Sequence, residues 1–209
     1  KGLLAGAGIP VAREVILPAD TETAPTLDLA FPVAVKVLSR DLPHKSEAGG
    51  VKLGVGSAEG VVEAIRAIRA SVKAYKPDAK IEGFIVAEMI VDGLETLIGV
   101  VRDPSFGPVV AFGLGGVTAE VLKDVSYRIA PFGADEARAM IGELRAAPLF
   151  GAFRGRPALD VDVLADTIAR VSVLAAQEAR IVELDINPLF VRPRGKGVAA
   201  ADALVVTSA

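Results

Sequence analysis

The chain has no cysteine, no tryptophan and a single histidine. Lack of cysteine excludes disulfides, thiolate catalysis and cysteine-ligated metal. A lone histidine, His44, cannot supply the His pair of a zinc site, and nothing resembling Gly-x-Ser-x-Gly accompanies it to suggest a Ser-His-Asp hydrolase. Basic excess is missing too: 23 Lys and Arg stand against 26 Asp and Glu, a formal charge of -3, so no nucleic-acid partner is expected. Long apolar runs are also lacking. Mean hydropathy is +0.47, but the longest uncharged stretch, Pro104 to Ala119, is broken by Gly107, Gly113, Gly115 and Gly116 and by two prolines. That pattern suits strand and loop better than a spanning helix, so no membrane partner is expected. With no basic-then-apolar leader, a cytoplasmic setting is the expectation.

What is present is a hydrophobic fraction of 52% over 209 residues, enough to bury one large core or two smaller ones. The chain opens at Lys1 inside a helix-like stretch without an initiator Met, which reads as a piece of a longer chain or one subunit of a complex. Strands are predicted at 11–17, 33–38, 51–55, 84–90, 95–101, 108–112, 181–186, 190–191 and 199–206, from β-branched runs bounded by Gly and Pro. Helices are predicted at 58–75, 134–146 and 160–176; the first has Ser57 as its cap and Val61, Val62, Ile65, Ile68 and Val72 at helical spacing. Helices and hairpin-like strand pairs alternate irregularly, so the class is α+β, a mixed α/β arrangement.

Few positions carry chemistry. Lys36 sits inside an apolar strand, where an ammonium is costly to bury unless it meets an anion; a lysine that snorkels to water from an edge strand accounts for it equally well. The loop that follows, His44-Lys45-Ser46-Glu47-Ala48-Gly49-Gly50, combines a base, a cation and two adjacent glycines, and such a loop can turn backbone N–H groups onto a phosphate. Glu88 and Glu95 flank a strand-turn-strand, and on spacing alone solvated hairpin ends are the simpler account. Glu183, Asp185 and Asn187 alternate along one strand and so project oxygen ligands from one face, with Asp202 on the next strand within reach. Hard cations such as Mg2+ want a few such oxygens beside phosphate and water. His44 is as readily a structural residue as a nucleophile on these grounds alone.

The runs PVAVKVLSRDLPHKSEAGGVKLGV, VAEMIVDGLETLIGVVRDPSFGPVVAFGLGGVTAEVLKDVSYRIAPF and IVELDINPLFVRPRGKGVAAADALVV resemble, in order and spacing, the ATP-grasp region of the NDP-forming (ADP-forming) acetyl-CoA synthetases. The likeness covers nearly the whole chain and extends to the succinyl-CoA synthetase β subunit. It implies an ATP-grasp fold of two subdomains with the nucleotide site between them, the smaller at about 24–90 and the larger from 1–23 and 91–209. It implies ATP/ADP and Mg2+ as ligands. Lys36 looks like the lysine that contacts the nucleotide phosphates, and the Gly49-Gly50 loop like the cover over them. Glu88, Met89 and Ile90 look like the hinge that hydrogen-bonds adenine, partly through backbone, and Glu95 like the carboxylate that takes the ribose hydroxyls. Asn187 and Asp202 match the Mg2+ ligands; Asp185 stands where a glutamate is usual, and either holds the metal or orients a phosphorylated His44. His44 stands in the HKS loop at the place of a histidine that relays the phosphoryl group. The resemblance further implies CoA-binding and ligase domains, or a subunit carrying them, as partners. Two other readings follow from it: a regulatory nucleotide-binding domain of a larger protein acetyltransferase, and an ATP-grasp ligase joining carboxylate to amine.

Overall fold

A computed structural model of the protein describes residues 2–42, 45–116, 124–153 and 155–208. The chain opens with a short helix α1 (Gly2–Gly6) and divides into two compact units, Ala12–Met89 on one hand and Lys1–Val11 with Ile90–Ala209 on the other.

The smaller unit is built from β1 (Glu14–Pro18), β2 (Val33–Leu38), β3 (Val51–Val55), α2 (Ala58–Tyr75) and β4 (Gly83–Glu88). Its sheet runs in the order β1-β4-β2-β3 with every pairing antiparallel. Helix α2 starts where the Ser57 side chain accepts the Gly60 N–H at 3.1 Å, a cap worth ~1 kcal/mol. Its buried face, Val61, Ile65, Ile68 and Val72, packs with Val33, Val35 and Val37 of β2 and Phe84 and Val86 of β4. Each such side chain contributes about 1.5–3 kcal/mol by leaving water. Because side chains alternate along a strand, Ala34 and Lys36 project from the opposite face of the sheet. The expected division put 12–23 in the larger unit, whereas the structure puts them in the smaller one. The reason is β1, which pairs with β4 from Glu14↔Ala87 to Pro18↔Gly83.

In the larger unit β5 (Leu94–Asp103), β6 (Gly107–Leu114), β7 (Val125–Ile129), β8 (Ile181–Val191), β9 (Val198–Ala200) and β10 (Ala203–Thr207) form a sheet of order β10-β8-β5-β6-β7, with β9 on β8. Two helices, α3 (Ala134–Glu143) and α4 (Val161–Gln177), bury Met140, Leu164, Ile168 and Val171 in one core with Ile98, Val100, Phe112, Leu184 and Ile186 of the sheet. Residues of β8 that alternate with Leu184 and Ile186, namely Glu183, Asp185 and Asn187, therefore belong to the other face. Strand β8 runs unbroken through Asn187-Pro188, where a break was expected. The register with β5 shifts between Thr96 and Ile98, so the proline, which has no N–H to give, falls at an irregularity in the ladder.

Helix α3 stops at Glu143 and not at 146, because the Asp124 carboxylate accepts the Arg145 and Ala146 N–H groups at 3.0 and 2.8 Å. At the start of α4, buried Asp160 accepts the N–H groups of Gly195 and Gly197 at 2.8 and 2.9 Å, and its own N–H donates to the Arg192 carbonyl at 2.9 Å. One carboxylate thereby fixes the loop after β8 against the helix. Among the described residues no helix is long and apolar enough to cross a membrane.

Candidate functional site

In the smaller unit, Lys36 lies mid-sheet, opposite Val51 on β3 and Ile85 on β4, and is half-buried. Its ammonium rises from an apolar strand on the face away from α2. The loop joining β2 to β3 closes on itself: the Gly49 N–H donates to the Ser46 carbonyl at 3.1 Å and the Gly50 N–H to the Lys45 carbonyl at 2.8 Å. Gly49 has φ of 63°, and a Cβ there would come within 2.8 Å of the Ser71 side chain of α2; one on Gly50 would come within 2.9 Å of the Lys45 carbonyl oxygen. Both glycine N–H groups are thus engaged inside the loop, and the residues let it pack closely onto α2 and β2. His44 lies outside the described residues.

The end of β4 is tied down by its own side chain. Glu88 accepts the Ala30 N–H at 2.9 Å and pairs with Arg13 at 3.4 Å, while its N–H donates to the Arg13 carbonyl. The Met89 N–H donates to the Pro32 carbonyl at 3.2 Å, and its sulfur accepts the Gly54 N–H at 2.9 Å. The chain passes to the larger unit between Met89 and Ile90, and Ile90 is half-buried.

In the larger unit, exposed Glu95 opens β5 opposite Phe190. Its carbonyl accepts the Gly115 N–H at 2.8 Å, and its carboxylate lies so close to Gly116 that a Cβ there would be 2.6 Å from Oε2. A Cβ on Gly115 would lie 3.0–3.1 Å from the Thr96 backbone. Only glycines permit the end of β6 to fold back on β5 in this way, and the Gly113-Leu114-Gly115-Gly116 run was the signal for it in the sequence. Those two glycines were not assigned from the sequence to the site.

Asp185 pairs with Gly99 on β5 and Leu204 on β10, and the Asn187 N–H donates to the Asp202 carbonyl at 3.2 Å. Asp202 also accepts the N–H of Ala203 at 2.9 Å. Burial, and after it the carboxylates of Glu183 and Asp202, push the Asp185 carboxyl above its ordinary range. The structure brings Asp185, Asn187 and Asp202 close to one another, with Glu183 as an electrostatic neighbour. Among the described residues no group of three or more His, Asp or Glu could hold a metal unaided. Carboxylate and amide oxygens are the donor type a hard cation accepts when phosphate and water complete its shell. A hollow of about 820 Å3 beside α1 and α4 involves none of these side chains.

These two units, one a four-stranded antiparallel sheet with a helix and the other a larger helix-backed antiparallel sheet, are those of the ATP-grasp fold. A family model described as ATP-grasp domain matches residues 1–207. The β subunit of acetate–CoA ligase [ADP-forming] I from Pyrococcus furiosus is 41% identical over 191 residues, 91% of this chain and 82% of that subunit. Acetate–CoA ligase [ADP-forming] I from Archaeoglobus fulgidus is 43% identical over 170 residues, 81% of this chain but 25% of that longer one. Among solved structures, acetyl-coenzyme A synthetase 1 of Ca. Korarchaeum cryptofilum, in complex with coenzyme A, Ca-AMPCP and HgCl+, superposes with a TM-score of 0.92 at 37% identity, over 99% of this chain and 90% of that one. The same protein with coenzyme A and Mg-AMPPCP, its phosphohistidine segment pointing towards the nucleotide binding site, gives a TM-score of 0.80 at 34% identity, over 98% and 88% of the two chains. The chain belongs to the ATP-grasp family, as a member of its ADP-forming acyl-CoA synthetase branch. These likenesses favour neither the acetyltransferase regulatory domain nor the carboxylate–amine ligase.

Proposed function

We propose that this chain is the ATP- and Mg2+-binding, phosphoryl-transferring part of an ADP-forming acyl-CoA synthetase, working with CoA-binding and ligase domains carried elsewhere. The whole reaction is acid, CoA and ATP to acyl-CoA, ADP and phosphate, and it is reversible. The observation that supports this reading most is the grouping of Asp185 and Asn187 on β8 with Asp202 just before β10, where burial, and after it the carboxylates of Glu183 and Asp202, raise the Asp185 carboxyl. Such crowding is tolerated where a cation is to be received.

In this reading Asn187 and Asp202 hold Mg2+, which when bound offsets charge on the phosphates. Lys36 supplies a cation to the phosphates from its apolar strand. Glu88, Met89 and Ile90 present the edge read by adenine, and Glu95, seated against Gly116, accepts the ribose hydroxyl protons. The Gly49-Gly50 loop keeps the β2–β3 connection tight over the phosphate end. His44 is the phosphoryl acceptor: a ring nitrogen lone pair attacks the γ-phosphorus, the bond to the β–γ bridging oxygen breaks, and ADP leaves. Asp185 holds either the metal or the imidazole in position.

A calorimetric titration of the chain with ATP tests the reading. One nucleotide is expected to bind with a dissociation constant within about 1 μM to 1 mM, and more weakly once Mg2+ is removed. No heat of binding with Mg2+ present would contradict it.

A further inference from the structure

The segment that carries the chain from β4 into β5 is held by almost nothing of its own. Among the described residues, the N–H groups of Ile90, Val91, Asp92 and Gly93 donate to no backbone carbonyl. Buried or not, such groups need partners from water, side chains or a ligand. What fixes the segment is the Asp92 side chain. Its Oδ1 accepts Arg192 Nε at 2.9 Å, and its Oδ2 meets Arg192 Nη2 at 3.5 Å and Lys196 Nζ at 3.4 Å. Gly93 completes the seat: its φ is +128°, and a Cβ there would lie 2.8 Å from the Val191 carbonyl oxygen. No other residue type allows this approach without displacing the end of β8.

The cations are themselves fixed. Arg192 donates its N–H to the Gly197 carbonyl at 3.0 Å, and the loop 192–197 is bound to the start of α4 by Asp160 through Gly195 and Gly197. A rigid path thus runs from the buried Asp160 carboxylate, through the 192–197 loop, to Asp92. Asp92 and Arg192 side chains are 32% and 34% exposed, so the pair is partly screened from water. The carboxyl of Asp92 is accordingly held below its ordinary range, chiefly by the hydrogen bond from Arg192. An ion pair still about a third exposed stabilises the fold only modestly. Two cations converging on the side chain of an otherwise untethered segment serve to place that segment.

We propose that Asp92, clasped by Arg192 and Lys196, is a positioning residue that sets the Ile90–Gly93 backbone against the nucleotide base. The proposal rests on the reading of Glu88–Ile90 as the adenine edge. It predicts a defect confined to the base. Asp92→Asn, which keeps the size and loses the charge, weakens ATP binding about tenfold, narrows the preference between ATP and GTP, and leaves inorganic tripolyphosphate binding unchanged. Arg192→Gln approaches the same clasp from the other side and produces the same pattern, so the test survives if one variant fails to fold.

The control is Ile90→Pro, which removes one N–H from the same edge. ATP affinity unchanged in both clasp variants but lowered by Ile90→Pro overturns the positioning role and leaves the adenine reading standing. ATP affinity unchanged in all three overturns both. Equal loss of ATP and tripolyphosphate binding also overturns the proposal, because it would mean general damage to the fold.

Discussion

Replacing Lys36 with alanine is expected to weaken ATP binding by about 30-fold to a few thousandfold, the size of loss seen when one partner of a shielded charge pair is truncated, ~2–5 kcal/mol. The expectation comes from where the residue sits. Val33, Val35 and Val37 anchor β2 in the core of the smaller unit, so Lys36 is carried by a strand with little freedom to shift. An ammonium held on such a strand is placed to meet the negative charge of a triphosphate. A loss of binding without unfolding is the expected result. Calorimetry with ATP and a thermal scan on the same sample separate the two effects. Unchanged affinity would remove Lys36 from the site.

Asp202→Asn is expected to abolish most of the Mg2+ dependence of ATP binding. The amide oxygen can still accept the Ala203 N–H that Asp202 accepts at 2.9 Å, so the turn into β10 is kept. Only the negative charge disappears. Affinity for Mg-ATP should fall about 10- to 100-fold, as when a metal's coordination is disturbed. Metal-free ATP should bind no worse, and slightly better, because one carboxylate no longer repels the phosphates near Asp185 and Glu183. The readout is the ratio of affinities with and without Mg2+. A ratio equal to that of the unaltered chain would show that Asp202 takes no part in metal binding.

The strongly periodic segments were legible from the residues alone. Helix α2 follows from Ser57 and its 3–4 spaced Val and Ile, and the observed limits Ala58–Tyr75 are the expected ones. Strand β2 was equally clear, since β-branched residues between Pro32 and Ser39 leave little else. Strand β7 was not foreseen. Its inward residues are Ser126 and Arg128, and the arginine is satisfied by Glu136 and Glu143 of α3, so the usual apolar alternation is absent. A strand held by ion pairs to a helix gives no periodic hydrophobic signal. The boundary of the smaller unit was misplaced for a similar reason: that β1 pairs with β4, across some seventy residues of chain, is a tertiary fact.

The site was legible unevenly. Alternation along β8 was enough to bring Asp185 and Asn187 to one face, because a strand in a sheet has a fixed period of two. The roles of Glu88, Glu95 and His44 were visible only through resemblance, since isolated carboxylates and one histidine carry no spacing signal. The clasp of Asp92 by Arg192 could not be read at all, as its partners are 100 residues apart. Nor could the sequence tell that Gly49 and Gly50 spend their N–H groups inside their own loop, which depends on the Ser46 and Lys45 carbonyls turning inward.

The most direct test is to incubate the chain with γ-labelled ATP and Mg2+, beside a His44→Ala control, and to assay for acid-labile, alkali-stable phosphate. Phosphoryl transfer to a histidine predicts label with that stability, located at His44 and absent from the control. Label that persists in His44→Ala, or no label at all where ATP binding is intact, would contradict it.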